Sequence, residues 1–150
     1  MPDLDDKGAV KLWGRVIRGY EATSRALQKK LRERFDLSGP EVETLLDLAL
    51  RSEHYAPMKD LAHAASFSTG GFTKIADRLT ERGLTERIHC EKDRRVTYLA
   101  LTEEGTAVAS ELTKAVANTN RELFINALGE EKAREVAAAM TTLYHANTER

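Results

Sequence analysis

The sequence predicts a mainly α chain, α+β in detail, with one small β-hairpin set among longer helices. Three observations predict it. Apolar residues recur at threes and fours over the first and last thirds, two short helical segments separated by a brief turn lie between, and a pair of β-rich runs joined by a charged connector follows them. One domain with a sizeable core fits within 150 residues, since a chain of this size buries roughly 68 to 70% of its extended-state surface.

Leu12, Val16, Tyr20, Thr23, Leu27, Leu31 and Phe35 mark one face of a long first helix. Such a face needs a partner. Ser38, Gly39, Pro40 and Glu41 form an S-x-x-E capping box with proline in the first turn, starting a second helix through Val42, Leu45, Leu46 and Ala49 that ends near Arg51 or Ser52. Tyr55 to Pro57 is short and extended, because a proline pushes the residue before it out of the helical region. Met58 to Ala65 reads as a small helix with Leu61, Ala62 and Ala65 inward, and a three-residue break follows at Ser66 to Ser68. Ser68 caps a fourth helix whose stripe is Phe72, Ile75, Ala76 and Leu79, and Gly83 ends it with Arg82 beside the negative end of its dipole.

The β-rich runs Leu84 to Cys90 and Arg95 to Leu101 then form a two-stranded ribbon, with Glu91 to Arg94 as its polar and charged connector. Thr102 caps the next helix with Glu103 and Glu104 at its positive end, and Val108, Leu112, Val116, Leu123 and Leu128 carry its pattern as far as Gly129. A last helix from Glu130 or Glu131 carries Val136, Met140, Leu143 and Tyr144. No internal repeat and no Gly/Ser or Pro linker divides the chain, so residues 1–150 read as one compact domain. Long amphipathic helices at both ends carry more apolar stripe than the short central elements can cover. A second copy is the expected cover.

The net charge of −1 argues against a protein that adheres to polyanions over its whole surface. Its distribution says more. Ser66 to Leu101 holds seven basic and five acidic residues, whereas the stretches on either side are acidic. A single cysteine, Cys90, excludes an intramolecular disulfide framework, and no run approaches the ~20 apolar residues of a membrane span. The acidic start lacks the apolar core of a signal peptide, so the expected compartment is the cytoplasm and no membrane partner is expected.

Helix, tight turn, helix and β-hairpin together make a winged helix-turn-helix, whose second helix enters the DNA major groove while the hairpin tip reaches the backbone or minor groove. The residues carry a resemblance as well. "LSGPEVETLLDLAL", "FTKIADRLTERGL" and "CEKDRRVTYLALTEEG" resemble the MarR family of bacterial transcriptional regulators, above all in Asp93-Arg94-Arg95 followed by a short strand and the L-T-E-E-G of Leu101 to Gly105. The resemblance in layout spans almost the whole chain, its ends matching by pattern rather than by motif. It implies a homodimer that docks two winged helices on a palindrome of double-stranded DNA. In that division residues 38–105 form the reading lobe, and about 1–37 and 106–150 the dimerisation helices. It further implies a repressor relieved by a small aromatic ligand bound in a crevice, for which Trp13 and Tyr20 on the first helix are the candidates. For these two aromatics, packing in a core is the competing reading.

The fourth helix presents Gly70, Thr73, Lys74, Asp77 and Glu81 opposite its apolar stripe, with Arg78 on the flank. Asp77 and Glu81 repel phosphates. Insertion is therefore expected end-on, which places Ser68, Thr69, Gly70, Gly71, Thr73 and Lys74 near base edges or phosphates. Gly70 and Gly71 each cost about 1 kcal/mol of helix propensity against alanine, which suits either close approach of the backbone to DNA or a loose first turn with the helix beginning later. Gly71 departs from the family pattern, which usually has a bulkier residue there. By resemblance Arg95 enters the minor groove, Asp93 orients the tip and Arg94 lies closer to phosphate; a merely solvated tip is the alternative. The charge of Asp77 suits pairing with a wing arginine that locks helix to hairpin. His54, His63, His89 and Cys90 show neither i, i+4 nor C-x-x-C spacing, so no metal or cofactor is expected, and Cys90 reads as a small buried hydrophobe. Hydrolase, zinc-protease, P-loop and dinucleotide motifs are absent, which points away from an enzyme. The rival function is a winged-helix module that binds protein and not DNA, favoured by the near-neutral charge and the paired glycines.

Overall fold

The computed structural model describes residues 4–65 and 67–148, with the side chain of Thr69 left out, so Ser66 of the expected break and that side chain lie outside the described residues. Helix α1 runs Asp6–Phe35. It stops at Asp36, which adopts the left-handed region (φ 52°), and the freed carbonyls of Phe35 and Asp36 accept hydrogen bonds from the Arg82 guanidinium at 3.1 and 2.5 Å. Helix α2, Gly39–Leu50, starts as its sequence dictates. Ser38 Oγ accepts from the Glu41 N–H at 3.4 Å, and the Glu41 carboxylate accepts from the Ser38 N–H at 2.9 Å.

Strand β1 (Tyr55–Pro57) leads into α3 (Met58–Ala64), and α4 spans Thr69–Glu81. The wing strands are β2 (Thr85–His89) and β3 (Thr97–Leu101). Where a two-stranded ribbon was expected, the sheet has three antiparallel strands in the order β1-β3-β2. Tyr55 faces Ala100 and Pro57 faces Tyr98 along one edge of β3, while Thr85 faces Leu101 and His89 faces Thr97 along the other. The short extended piece forced by Pro57 is thus an edge strand, a place where a residue without an N–H is tolerated. Ala65 is not one of the inward residues of α3 but its half-buried C-cap, and four residues, not three, separate α3 from α4.

Helix α5 covers Glu103–Asn120, followed by a π-helical turn at Arg121–Ile125, a short α6 (Asn126–Leu128) and α7 (Glu130–Thr148). The inward residues of α5 are Ala109, Leu112, Ala115 and Thr119, whereas Val108 and Val116 are half-buried and Leu128 is exposed. Small alanines let α5 pack closely, so the expected valine stripe sits to one side of the buried line. The π turn then adds an extra residue to the helical cycle and rotates the faces of the turns beyond Ile125. The start of α5 is fixed to the wing by contacts that explain the L-T-E-E-G motif. Thr102 Oγ1 donates to the Gly83 carbonyl at 2.6 Å and accepts from the Gly105 N–H at 2.9 Å, while a Cβ on Gly105 would lie 1.8 Å from the Leu84 carbonyl oxygen. Only glycine fits that crossing.

Two compact units emerge. One joins Lys30 and the residues before it to Val116 and those after it; the other is Leu31–Ala115. The second unit holds most of the core, with Leu45, Leu48, Leu61, Phe72, Leu79, Leu99 and Leu112 each no more than 2% exposed. In the first unit, Lys30 and Glu122 pair at 2.6 Å, yet Val10, Trp13 and Tyr20 of α1 and Val136, Met140, Leu143 and Tyr144 of α7 all remain exposed. Among the described residues, no helix is long and apolar enough to cross a membrane.

Candidate nucleic-acid interface

Helix α4 is built to be held from one side. Phe72, Ile75, Ala76 and Leu79 are all buried, and each large apolar side chain so placed contributes about 1.5–3 kcal/mol, which seats the helix firmly in the Leu31–Ala115 unit. Its start is also fixed. Ser68 Oγ accepts from the Gly71 N–H at 3.1 Å and the Ser68 carbonyl from the Phe72 N–H at 2.9 Å, so the helix begins at Thr69 and the loose-first-turn reading is set aside. The two glycines differ in their surroundings. A Cβ on Gly71 would approach Ser68 Oγ to 3.2 Å and the Phe67 ring to 3.4 Å, whereas one on Gly70 would meet nothing within 4 Å. Gly71 thus makes room for the cap inside the chain, and Gly70 answers to nothing inside it.

The outward face of α4 carries Gly70 and Lys74 exposed, Thr73 and Asp77 half-buried, and Arg78 on the flank. Among the described residues Lys74 has no ion-pair partner. Arg78 lies 3.9 Å from the buried Glu41 carboxylate at the start of α2, a contact the sequence did not suggest. Asp77 does pair with a wing arginine, and that arginine is Arg87 in β2 rather than one at the tip; its Nη2 donates to Asp77 Oδ1 at 2.6 Å. Nearby, the Thr80 and Thr85 hydroxyls share a hydrogen bond of 3.1 Å, so α4 and β2 are joined at two points.

The wing loop extends from Cys90 to Val96, longer than the four-residue connector expected, because the strands stop short at His89 and Thr97. Arg95 is therefore a loop residue. Asp93 Oδ1 accepts from the Arg95 backbone N–H at 3.0 Å and from its Nε at 3.1 Å, and Oδ2 accepts from Nη2 at 3.3 Å. These bonds hold the Asp93 carboxyl below its ordinary pKa and fix the loop while the Arg95 side chain remains 91% exposed. Arg94 is exposed and, among the described residues, unpaired by any carboxylate.

The remaining candidates fall elsewhere. Trp13 and Tyr20 belong to the other unit, exposed by 54% and 72%, so among the described residues core packing is overturned for both. A cleft of about 170 Å³ is lined by Glu43, Thr44, Asp47, Leu61, Ala64 and Ala65, and neither aromatic borders it. Cys90 is half-buried at the start of the wing loop, just beyond β2, and not the buried hydrophobe expected. Among the described residues no group of three or more His, Cys, Asp or Glu is placed to hold a metal ion.

Comparison with known proteins agrees with this architecture. Residues 37–105 match the family model described as a winged helix DNA-binding domain. The HTH-type transcriptional repressor MdtR of Bacillus subtilis is 30% identical over 100 residues, 66% of this chain and 64% of that protein, so the match spans just under two thirds of the relative's length. AbsC, a MarR family transcriptional regulator from Streptomyces coelicolor, has the same fold, with a TM-score of 0.87, 24% identity and all of both chains covered. So does Sco3205, a MarR family regulator of the same organism solved in complex with DNA, with a TM-score of 0.88, 19% identity, and 99% and 92% of the two chains covered. Winged helix, seated α4, D-R-R loop and the glycine-locked L-T-E-E-G crossing occur here together and in order: the chain carries a winged helix DNA-binding domain and has the fold of the MarR family regulators AbsC and Sco3205.

Proposed function

We propose that the chain is a homodimeric, sequence-specific DNA-binding repressor, cytoplasmic, whose paired reading helices dock on a pseudo-palindromic operator at half-sites roughly 34 to 36 Å apart. In this reading residues 1–150 act as one domain, with 38–105 as the reading lobe and about 1–37 and 106–150 as dimerisation helices. One observation carries it: within a single compact unit, the firmly seated α4 offers Lys74 without an ion-pair partner while the wing loop offers Arg94 and Arg95 to solvent. The DNA complex of Sco3205 and the repressor function in the name of MdtR support the same reading. Ser68, Thr69, Gly70, Gly71, Thr73, Lys74 and Arg78 contribute the helix side of the interface, with Arg94 and Arg95 on the wing side and Asp93 holding Arg95 ready. The exposed apolar side chains of α1 and α7 support a second copy as their cover. A small aromatic ligand near Trp13 and Tyr20 relieves repression by linkage, since it prefers the dimer geometry that mismatches the half-site spacing and so weakens DNA binding by its differential affinity for the two shapes.

Selection of bound fragments from random duplex DNA at fixed salt, followed by gel-shift titration, tests the proposal. Lys74→Ala and Arg95→Ala each weaken operator binding and reduce the slope of log affinity against log salt by about 1. Unchanged titrations for both variants remove the assigned surface. No binding to random duplex even at low ionic strength favours the protein-interaction module, the reading to which the net charge of −1 lends weight.

A further inference from the structure

We propose that Asp77 and Arg87 are positioning residues for DNA reading: their ion pair clamps the wing to the reading helix and sets where Arg94 and Arg95 stand relative to Lys74. The inference rests on the DNA-binding reading above. Asp77 is out of place if considered alone. It is an acid 47% exposed on the face of α4 that is offered to a polyanion, one turn beyond Lys74, where it opposes binding. The structure gives it a use. Arg87 lies at the middle of β2, opposite Leu99 in the ladder and on the same face of the sheet as that buried leucine, and its guanidinium, 28% exposed, reaches the Asp77 carboxylate at 2.6 Å. The contact neutralises the acid and ties the strand leading into the wing loop to the helix beside it. One turn on, the Thr80–Thr85 hydrogen bond forms the second point of attachment, and two points fix an orientation where one only fixes a distance. Beyond Arg87 only Ile88 and His89 remain before the loop begins at Cys90, so the tilt of β2 at Arg87 is transmitted to Asp93–Arg95 with little chain in which to dissipate.

The clamp predicts an effect opposite in sign to simple electrostatics. Removing a negative charge from a phosphate-facing helix should tighten binding; removing the clamp should loosen it. Asp77→Asn is expected to weaken operator binding about fivefold to tenfold and to lower the salt slope by about 1, because the wing arginines no longer reach the backbone together with Lys74. Arg95→Ala introduced into the Asp77→Asn chain should then cost much less than it does in the unmodified chain, the non-additivity expected of residues acting as one unit. Arg87→Lys, which keeps a cation opposite Asp77, should bind within about threefold of the parent, whereas Arg87→Gln should match Asp77→Asn. Thermal melts accompany each variant, and because a half-exposed pair adds little to folding, all should melt near the parent; the Arg87→Lys comparison remains decisive if Arg87→Gln does not. Binding by Asp77→Asn as tight as the parent or tighter, with Arg95→Ala still costly in that background, overturns the clamp and leaves the interface standing. Loss of any effect from both Lys74→Ala and Arg95→Ala overturns the interface and the clamp together.

Discussion

At the scale of single residues, three positions separate demands internal to the fold from demands made by DNA. Gly105 is internal: a methyl group there would stand 1.8 Å from the Leu84 carbonyl oxygen, so Gly105→Ala must part α5 from the wing, and a loss of about 3 kcal/mol or more is expected in chemical denaturation. Gly70 is the converse. Alanine there meets nothing within 4 Å, so the variant should be more stable by up to about 1 kcal/mol in the same assay while its operator affinity falls, since the added methyl stands between helix and groove. A Gly70→Ala chain that is both more stable and equally good at binding DNA would show that the helix does not approach that closely. Asp93 is the third. Its carboxyl is held below the ordinary value of 3.8 by the Arg95 side-chain and backbone hydrogen bonds, so the bonded loop persists above pH 3.8 and is lost only as pH falls through the lowered folded value. Carboxyl carbon NMR should place the Asp93 midpoint below 3.8 in the parent and nearer to it in Arg95→Ala. Equal midpoints in the two chains would mean that the tip is merely solvated.

Elements were legible in the sequence to the extent that their causes are local. The capping box of α2 lies within four residues, and both of its hydrogen bonds form. Ser38→Ala removes the cap and should cost about 0.5–2 kcal/mol of unfolding free energy by urea titration, with no change in the operator sequence selected, since Ser38 serves α2 and not the reading helix. The stripe of α4 was legible for the same reason, a 3.6-residue period held over about two turns from Phe72 to Leu79. What escaped notice was non-local or off-period. Strand β1 is three residues ending in proline and exists through its pairing with β3 about forty positions away, which no local pattern announces. The buried line of α5 runs through alanines, whose weak hydrophobic signal is masked by the valines beside it, and the π turn at Arg121–Ile125 breaks the very period by which helices are read. Arg87 carried a β-rich context and a charge, but nothing in the sequence chose it over Arg94 or Arg95 as the partner of Asp77.

At the scale of the whole molecule, the distribution of apolar surface sets the expected assembly. The Leu31–Ala115 unit holds most of the buried apolar side chains, whereas in the other unit, among the described residues, the exposed apolar residues of α1 and α7 outnumber the buried one, Ala133. Contiguous apolar helix faces of this kind are costly to leave in water, and a self-complementary two-fold contact is the commonest way to cover them. Sedimentation velocity at micromolar concentration should therefore give a dimer for the parent chain. Leu143→Asp and Ile17→Asp each place a carboxylate among the exposed apolar side chains of α7 and α1, and a charge buried unpaired at a contact costs several kcal/mol, enough to shift association by a factor of a thousand or so. Both should sediment as monomers with helical circular dichroism near that of the parent, because neither side chain is buried in the isolated chain. Operator affinity should then fall far more than for any single substitution in α4 or the wing, since each half-site would be bound without help from the other. A parent chain that remains monomeric at micromolar concentration, or variants that remain dimeric, would mean that the apolar faces of α1 and α7 serve some other contact and that the palindromic reading of DNA has no basis in this molecule.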